Sequence, residues 1–164
     1  EAQLDRFLMH LEIDYPDATS ELAILKLNRG EALTDAAHEK PSLRVLSQAE
    51  IFDARKQVLN IHMAPALEAY MVDLIIATRQ PEKYDEKLNS WLAYGASPRA
   101  TIALDRCARA RAWLYNRDYV SPEDIQAVLH NVLRHRIILS YQAEAEGITP
   151  NQLLDHLLSL VAVG

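Results

Sequence analysis

The residues best suited to chemistry are in Gly95-Ala96-Ser97-Pro98-Arg99-Ala100, a turn running into a helix that delivers one arginine at its first turn. Ser97 is a good N-cap, and Pro98 suits the first helical position because its missing N–H would be unpaired there. Arg99 follows on the helix N-terminus, where unpaired amides and a partial positive charge already favour anions, so its guanidinium is a contact for phosphate oxygens. A well-capped structural helix carries the same signals, and the surrounding chain must decide between the two.

Other candidates are weaker. The histidines at 10, 38, 62, 130, 135 and 156 show no metal spacing such as His-Glu-x-x-His, and His130 and His135 are five apart rather than on one helical face, so no metal site is expected. Cys107 sits in a stripe of small residues between alanines and reads as a packing thiol. Glu144 and Glu146, before Gly147, read as a solvated turn rather than a catalytic carboxylate pair. No Gly-x-x-x-x-Gly-Lys-Ser/Thr sequence is present, and no acidic strand end stands ready to hold magnesium, so this chain alone is expected not to hydrolyse ATP.

The elements that must position these residues are mostly helical. At 164 residues the chain is long enough for a real core. A net charge of -6 argues against a nucleic-acid binder. A single cysteine excludes an internal disulfide and fits a reducing compartment. No stretch approaches the roughly 20 apolar residues of a membrane span. A cytoplasmic chain is expected. It starts without methionine, which suggests a fragment.

In chain order, Phe7 to Ile13 reads as a short strand and Tyr15-Pro16-Asp17 as a boundary. A first helix is expected over Ala18 to Arg29, stopped by Gly30, and a polar loop over Glu31 to Leu43. Ser47-Gln48-Ala49-Glu50 spells a capping box for a second helix to about Val58. Val58 to His62 and Ile137 to Leu139 read as short extended segments that could pair. A third helix starts near Pro65 and ends at Arg79, and Gln80 to Asn89 reads as a charged loop.

In the helix after Ser97, the residues Ala100, Ala103, Leu104, Cys107, Ala108 and Leu114 form an apolar stripe, with Arg99, Arg106 and Arg109 off its centre. Arg111 falls inside the stripe and is expected to bury its stem and send its head to solvent. Asn116 is expected to take a left-handed turn. Further caps at Ser121-Pro122 and Thr149-Pro150 open two more amphipathic helices. Arg79, Arg134 and Arg136 read as solvated or interdomain charges.

The order and spacing of these motifs carry a resemblance. Gly95-Ala96-Ser97-Pro98-Arg99-Ala100, an Ala- and Arg-rich helix, Arg117-Asp118-Tyr119-Val120-Ser121-Pro122-Glu123-Asp124-Ile125 and Val132-Leu133-Arg134-His135-Arg136 together resemble the lid domain of the MoxR family of AAA+ ATPases. Glu1-Ala2-Gln3-Leu4-Asp5-Arg6-Phe7 resembles the end of that family's ATPase core. Arg111 stands where the family usually has an apolar residue, and Asn116 where it often has glycine.

The resemblance implies a mainly α helical-bundle lid over residues 16–164, with residues 1–15 as the end of the ATPase core. It implies that Arg99, after Ser97 and Pro98, is the sensor 2 residue reaching the γ-phosphate in the same subunit, and that Arg6 is an arginine finger acting on ATP in the neighbouring subunit. ATP and Mg2+ are implied as cofactors of the full-length protein. Implied partners are its own core, neighbouring subunits in a ring, usually a hexamer, client proteins that are remodelled or matured, and a protein with a von Willebrand factor A domain. Two alternatives are a stand-alone helical interaction domain and the lid of a magnesium-chelatase-like motor subunit.

Overall fold

The structure, a computed structural model, describes residues 3–33 and 44–163. Its elements are α1 (Ala18–Leu33), α2 (Gln48–Asn60), α3 (Pro65–Arg79), α4 (Glu86–Trp91), β1 (Leu92–Tyr94), α5 (Pro98–Leu114), α6 (Pro122–Leu133), β2 (Ile138–Leu139), α7 (Tyr141–Ala145) and α8 (Pro150–Leu160). Single 3-10 turns lie at Leu4–Arg6 and Pro81–Lys83. The mainly α architecture expected from the sequence is the one observed.

Two compact units are present, residues 1–10 with 52–164, and residues 11–51. In the second, every described residue is exposed. Asp17 caps α1 by accepting from the Ser20 amide at 2.7 Å. The helix then runs through Gly30 to Leu33 rather than stopping at Arg29. Glu31, Ala32 and Leu33 all favour helix, and one glycine costs only about 0.5–1 kcal/mol. The rest of the expected loop, residues 34–43, lies outside the described residues. The capping box at the start of α2 forms: the Glu50 amide donates to Ser47 Oγ at 3.2 Å, and the Ser47 amide donates to Glu50 Oε2 at 2.8 Å. The expected core–lid boundary at residue 15 falls in the irregular stretch before α1.

The first unit holds the core. Pro65 opens α3, which buries Leu67, Tyr70, Met71, Leu74, Ile75 and Ala77. Between them, α5 and α6 contribute Ala100, Ala103, Leu104, Cys107, Ala108 and Ala112 from one helix and Ile125, Val128, Leu129, Val132 and Leu133 from the other. The alanines let the two axes come close, and each fully buried leucine contributes about 1.5–3 kcal/mol. Leu153, Leu154 and Leu157 of α8 close the bundle. The thiol of Cys107 is buried among these residues, as expected.

Several expectations are corrected. Residues 7–13 form no strand; they run irregularly, and the His10 amide donates to the Asn131 carbonyl at 2.8 Å, at the last turn of α6. A strand needs a neighbour, and this segment meets a helix instead. Val58 to Asn60 remain helical, and β2 pairs antiparallel with β1, matching Leu92 with Leu139 and Tyr94 with Ile138. His62 instead bridges to Tyr119. Residues 80–89 are ordered by a 3-10 turn and by α4, which Asp85 caps through the Leu88 amide at 2.9 Å. Leu114 is 70% exposed, because it ends α5 where the chain turns away. That turn is made by Asn116, whose φ of 56° is the left-handed conformation anticipated for it.

Candidate functional site

The turn before α5 is held by the last turn of α3. Thr78 is buried, and its Oγ1 donates to the Ile75 carbonyl at 2.7 Å while accepting from the Ala96 amide at 3.0 Å. Arg79 Nε donates to the Ala96 carbonyl at 2.7 Å. Both backbone groups of Ala96 are therefore fixed, which places Ser97 at the N-cap, where its Oγ accepts from the Arg99 amide at 3.2 Å. Pro98 takes the first helical position, as expected. Arg79 serves this turn and is more than a solvated charge.

The segment at residues 5–8 comes to the same helix end. Ser97 Oγ lies 3.0 and 2.9 Å from the two carboxylate oxygens of Asp5, to which it donates. Arg99 approaches the same carboxylate at 3.6 Å with its own side chain 53% exposed. Exposed pairs of this kind contribute about 0–1 kcal/mol. Arg136 Nε donates to Asp5 Oδ1 at 3.1 Å. Of the two expectations for Arg136, solvated or interdomain, the solvated one is corrected: its side chain is 2% exposed.

Together Asp5, Arg6, Leu8, Arg99, Ile102, Ala103, Arg106 and Arg136 line a hollow of about 300 Å³. Arg99, Ile102, Ala103 and Arg106 share one face of α5 by their spacing. Four arginines and one carboxylate line it, so the hollow is locally basic on a chain of net charge -6. Ser97, Pro98 and Arg99 are thus joined at one helix end, and Arg6 lines the same hollow as Arg99. Asp5, Arg106 and Arg136, which the sequence did not single out as candidates, line it as well.

A second charged cluster braces α5 from the other side. Arg111 Nη1 meets Asp124 Oδ1 at 2.5 Å, and Arg117 binds both Asp124 oxygens at 2.5 and 2.6 Å. Arg111 therefore points its head at a buried acid rather than at solvent, and also lies 4.7 Å above the Tyr115 ring. The Ser121 amide donates to Asp124 Oδ2 at 2.9 Å, completing the cap of α6. Burial pushes the Asp124 carboxyl up, but the bonds from Arg117, the Ser121 amide and Arg111 outweigh it and hold the group well below the usual carboxylate range.

Within this helical bundle, residues 89–157 match the AAA lid domain family. Over nearly its whole length the chain is similar to proteins named MoxR. Chaperone MoxR1 of Mycobacterium tuberculosis is 35% identical over 164 residues, which cover 99% of this chain and 42% of the relative. Protein MoxR of Paracoccus denitrificans is 33% identical over 170 residues, covering 99% and 50%. The crystal structure of a presumed ATPase from Cytophaga hutchinsonii superposes with a TM-score of 0.88 at 38% identity, covering 99% of this chain and 48% of that one. The chain thus spans about half the length of the relatives it matches. Among the described residues no helix is long and apolar enough to cross a membrane.

Proposed function

We propose that this chain is the lid of an ATP-hydrolysing ring, in which Arg99 contacts the γ-phosphate held by its own subunit and Arg6 contacts ATP held by the next. The observation that carries this reading is the position of Arg99: a half-exposed guanidinium on a rigidly capped helix N-terminus, facing a basic hollow and restrained only by a loose pair with Asp5. Those residues fit the oxygens of a triphosphate, which supplies the cleavable bond. Arg99 would leave Asp5 and neutralise negative charge as it develops on the phosphoryl oxygens, with the helix N-terminus adding to the field. Arg6 is exposed and would do the same across a subunit boundary, worth roughly 10³-fold or more in turnover. The part proposed for this chain is contact with phosphate oxygens through Arg99 and Arg6.

On this reading the lid follows the nucleotide, and ring turnover drives chaperone-like remodelling or maturation of partner proteins in the cytoplasm, one of them carrying a von Willebrand factor A domain. The name of the Mycobacterium tuberculosis relative supports the chaperone part. The test is ATP hydrolysis by the full-length protein as wild type, Arg99→Ala and Arg6→Ala, with circular dichroism to confirm folding. Both variants are expected to fold and lose turnover, and mixing them is expected to restore part of it, because one acts in its own subunit and the other in its neighbour. Normal turnover in both would make the arginines structural and the chain a helical docking domain.

A further inference from the structure

Arg136 uses all five of its N–H donors. Nε reaches Asp5 Oδ1 at 3.1 Å; Nη1 reaches the carbonyls of Leu8, at 3.2 Å, and Val132; Nη2 reaches the carbonyls of Asp5, at 3.2 Å, and Phe7, at 2.5 Å. Four of these five bonds end on residues 5–8, although Asp5 is 131 positions earlier in the chain. Apolar burial adds little at residues 7 and 8, since Phe7 and Leu8 are 63% and 50% exposed, so polar contacts hold the segment: these four, Ser97 on Asp5 and His135 on the Phe7 carbonyl. The fifth bond anchors the guanidinium to the C-terminal turn of α6, where a cation is favoured. The same Asp5 carboxylate receives Ser97 Oγ–H, the cap of the helix that carries Arg99.

We propose that Arg136 is a positioning residue that fixes Arg6 relative to Arg99. The proposal rests on the reading of those two arginines given above. Through Asp5, the segment bearing Arg6 and the helix end bearing Arg99 form one rigid assembly. A lid displacement that follows nucleotide at one site then moves the finger presented to the next site by the same amount. Lysine cannot replace this arginine, because three donors on one nitrogen cannot span five acceptors spread over two segments.

The test uses the full-length protein with Cys107→Ala and nitroxide labels on Leu4→Cys and Tyr94→Cys, both exposed positions, at 52% and 70%. Electron-electron resonance is expected to give one narrow distance with and without a non-hydrolysable ATP analogue, and Arg136→Lys is expected to broaden it. In unlabelled protein Arg136→Lys should lower kcat by about a hundredfold, the effect of misplacing a catalytic group by an ångström, with KM for ATP held within about twofold. Asp5→Ala, at a side chain still 21% exposed, should reproduce both effects and serves if Arg136→Lys does not fold. An unchanged narrow distance, wild-type turnover, or a parallel loss of ATP binding and melting temperature would each overturn the proposal. Wild-type turnover in Arg6→Ala would instead remove the finger assignment, and the distance measurement would still judge the clamp.

Discussion

A β-carbon on Gly95 would stand 2.0 Å from the carbonyl oxygen of Thr78, 2.5 Å from its carbonyl carbon and 2.9 Å from the Arg79 nitrogen. All three obstacles are backbone atoms of a helix end, so none can yield as a side-chain tip could. Gly95→Ala must therefore lift the turn off α3 and break the hold of Thr78 and Arg79 on Ala96. Thermal denaturation should show a loss of about 1–3 kcal/mol, the usual cost of overpacking. ATP turnover by the full-length protein should fall further than stability alone explains, because Ser97 and Arg99 are displaced together. Full turnover with only a lower melting temperature would separate the turn from the chemistry.

Asp124 is fully buried between two arginines that keep 30% and 26% of their side chains exposed. Asp124→Asn leaves two cations without their counter-charge and is expected to cost about 3 kcal/mol, near the lower end for a broken buried pair, because both arginines can reach water. The folded carboxyl titrates below its unfolded value near 3.9, so its contribution is fully present above about pH 4 and is lost as the pH falls further. Chemical denaturation at pH 7 and at pH 3 checks both points: the gap between wild type and Asp124→Asn should narrow at the lower pH.

Capping was legible because it is local. Ser47, Ser97, Ser121 and Thr149 each announce a helix within four residues, and every one of those helices forms where its cap stands. The left-handed Asn116 was legible for the same reason. The partner of β2 was not: Leu92-Ala93-Tyr94 follows directly on a helix and has no β-branched residue to mark it. Arg136 was also hidden, since four of its five acceptors are backbone carbonyls, which every residue type carries, and the fifth lies at the far end of the chain. Arg111 misled because an isolated arginine in an apolar stripe gives no hint that a buried Asp124 faces it across the helix pair.

Cys107 is 6% exposed in the α5 stripe, and burial pushes its thiol up, only partly offset by the nearby charge of Arg136. Reaction needs the thiolate and access, and the native site supplies neither. A thiol-reactive dye at pH 8 should therefore modify the folded chain at its rate of opening and the denatured chain at once. A fast reaction in the folded state would place the sulfur at the surface and contradict the packing of α5 on α6.

His135 ties the same early segment as Arg136: its Nε2–H donates to the Phe7 carbonyl at 3.1 Å, and the His10 ring packs edge-on at 6.0 Å. Burial lowers the His135 pKa, the Phe7 carbonyl and Asp5 partly oppose this, and Arg136 and His10 add to it. The folded state therefore takes up a proton less readily than the unfolded chain, whose histidine titrates near 6.5. Stability from this group is complete above that value and declines as the pH falls through the lower, folded pKa. Melting temperatures recorded from pH 7.5 to 5.5 should drop for the wild type, and His135→Gln, which retains a donor for Phe7 but cannot titrate, should flatten the drop. An identical slope in both would show that the proton responsible binds at a group other than His135.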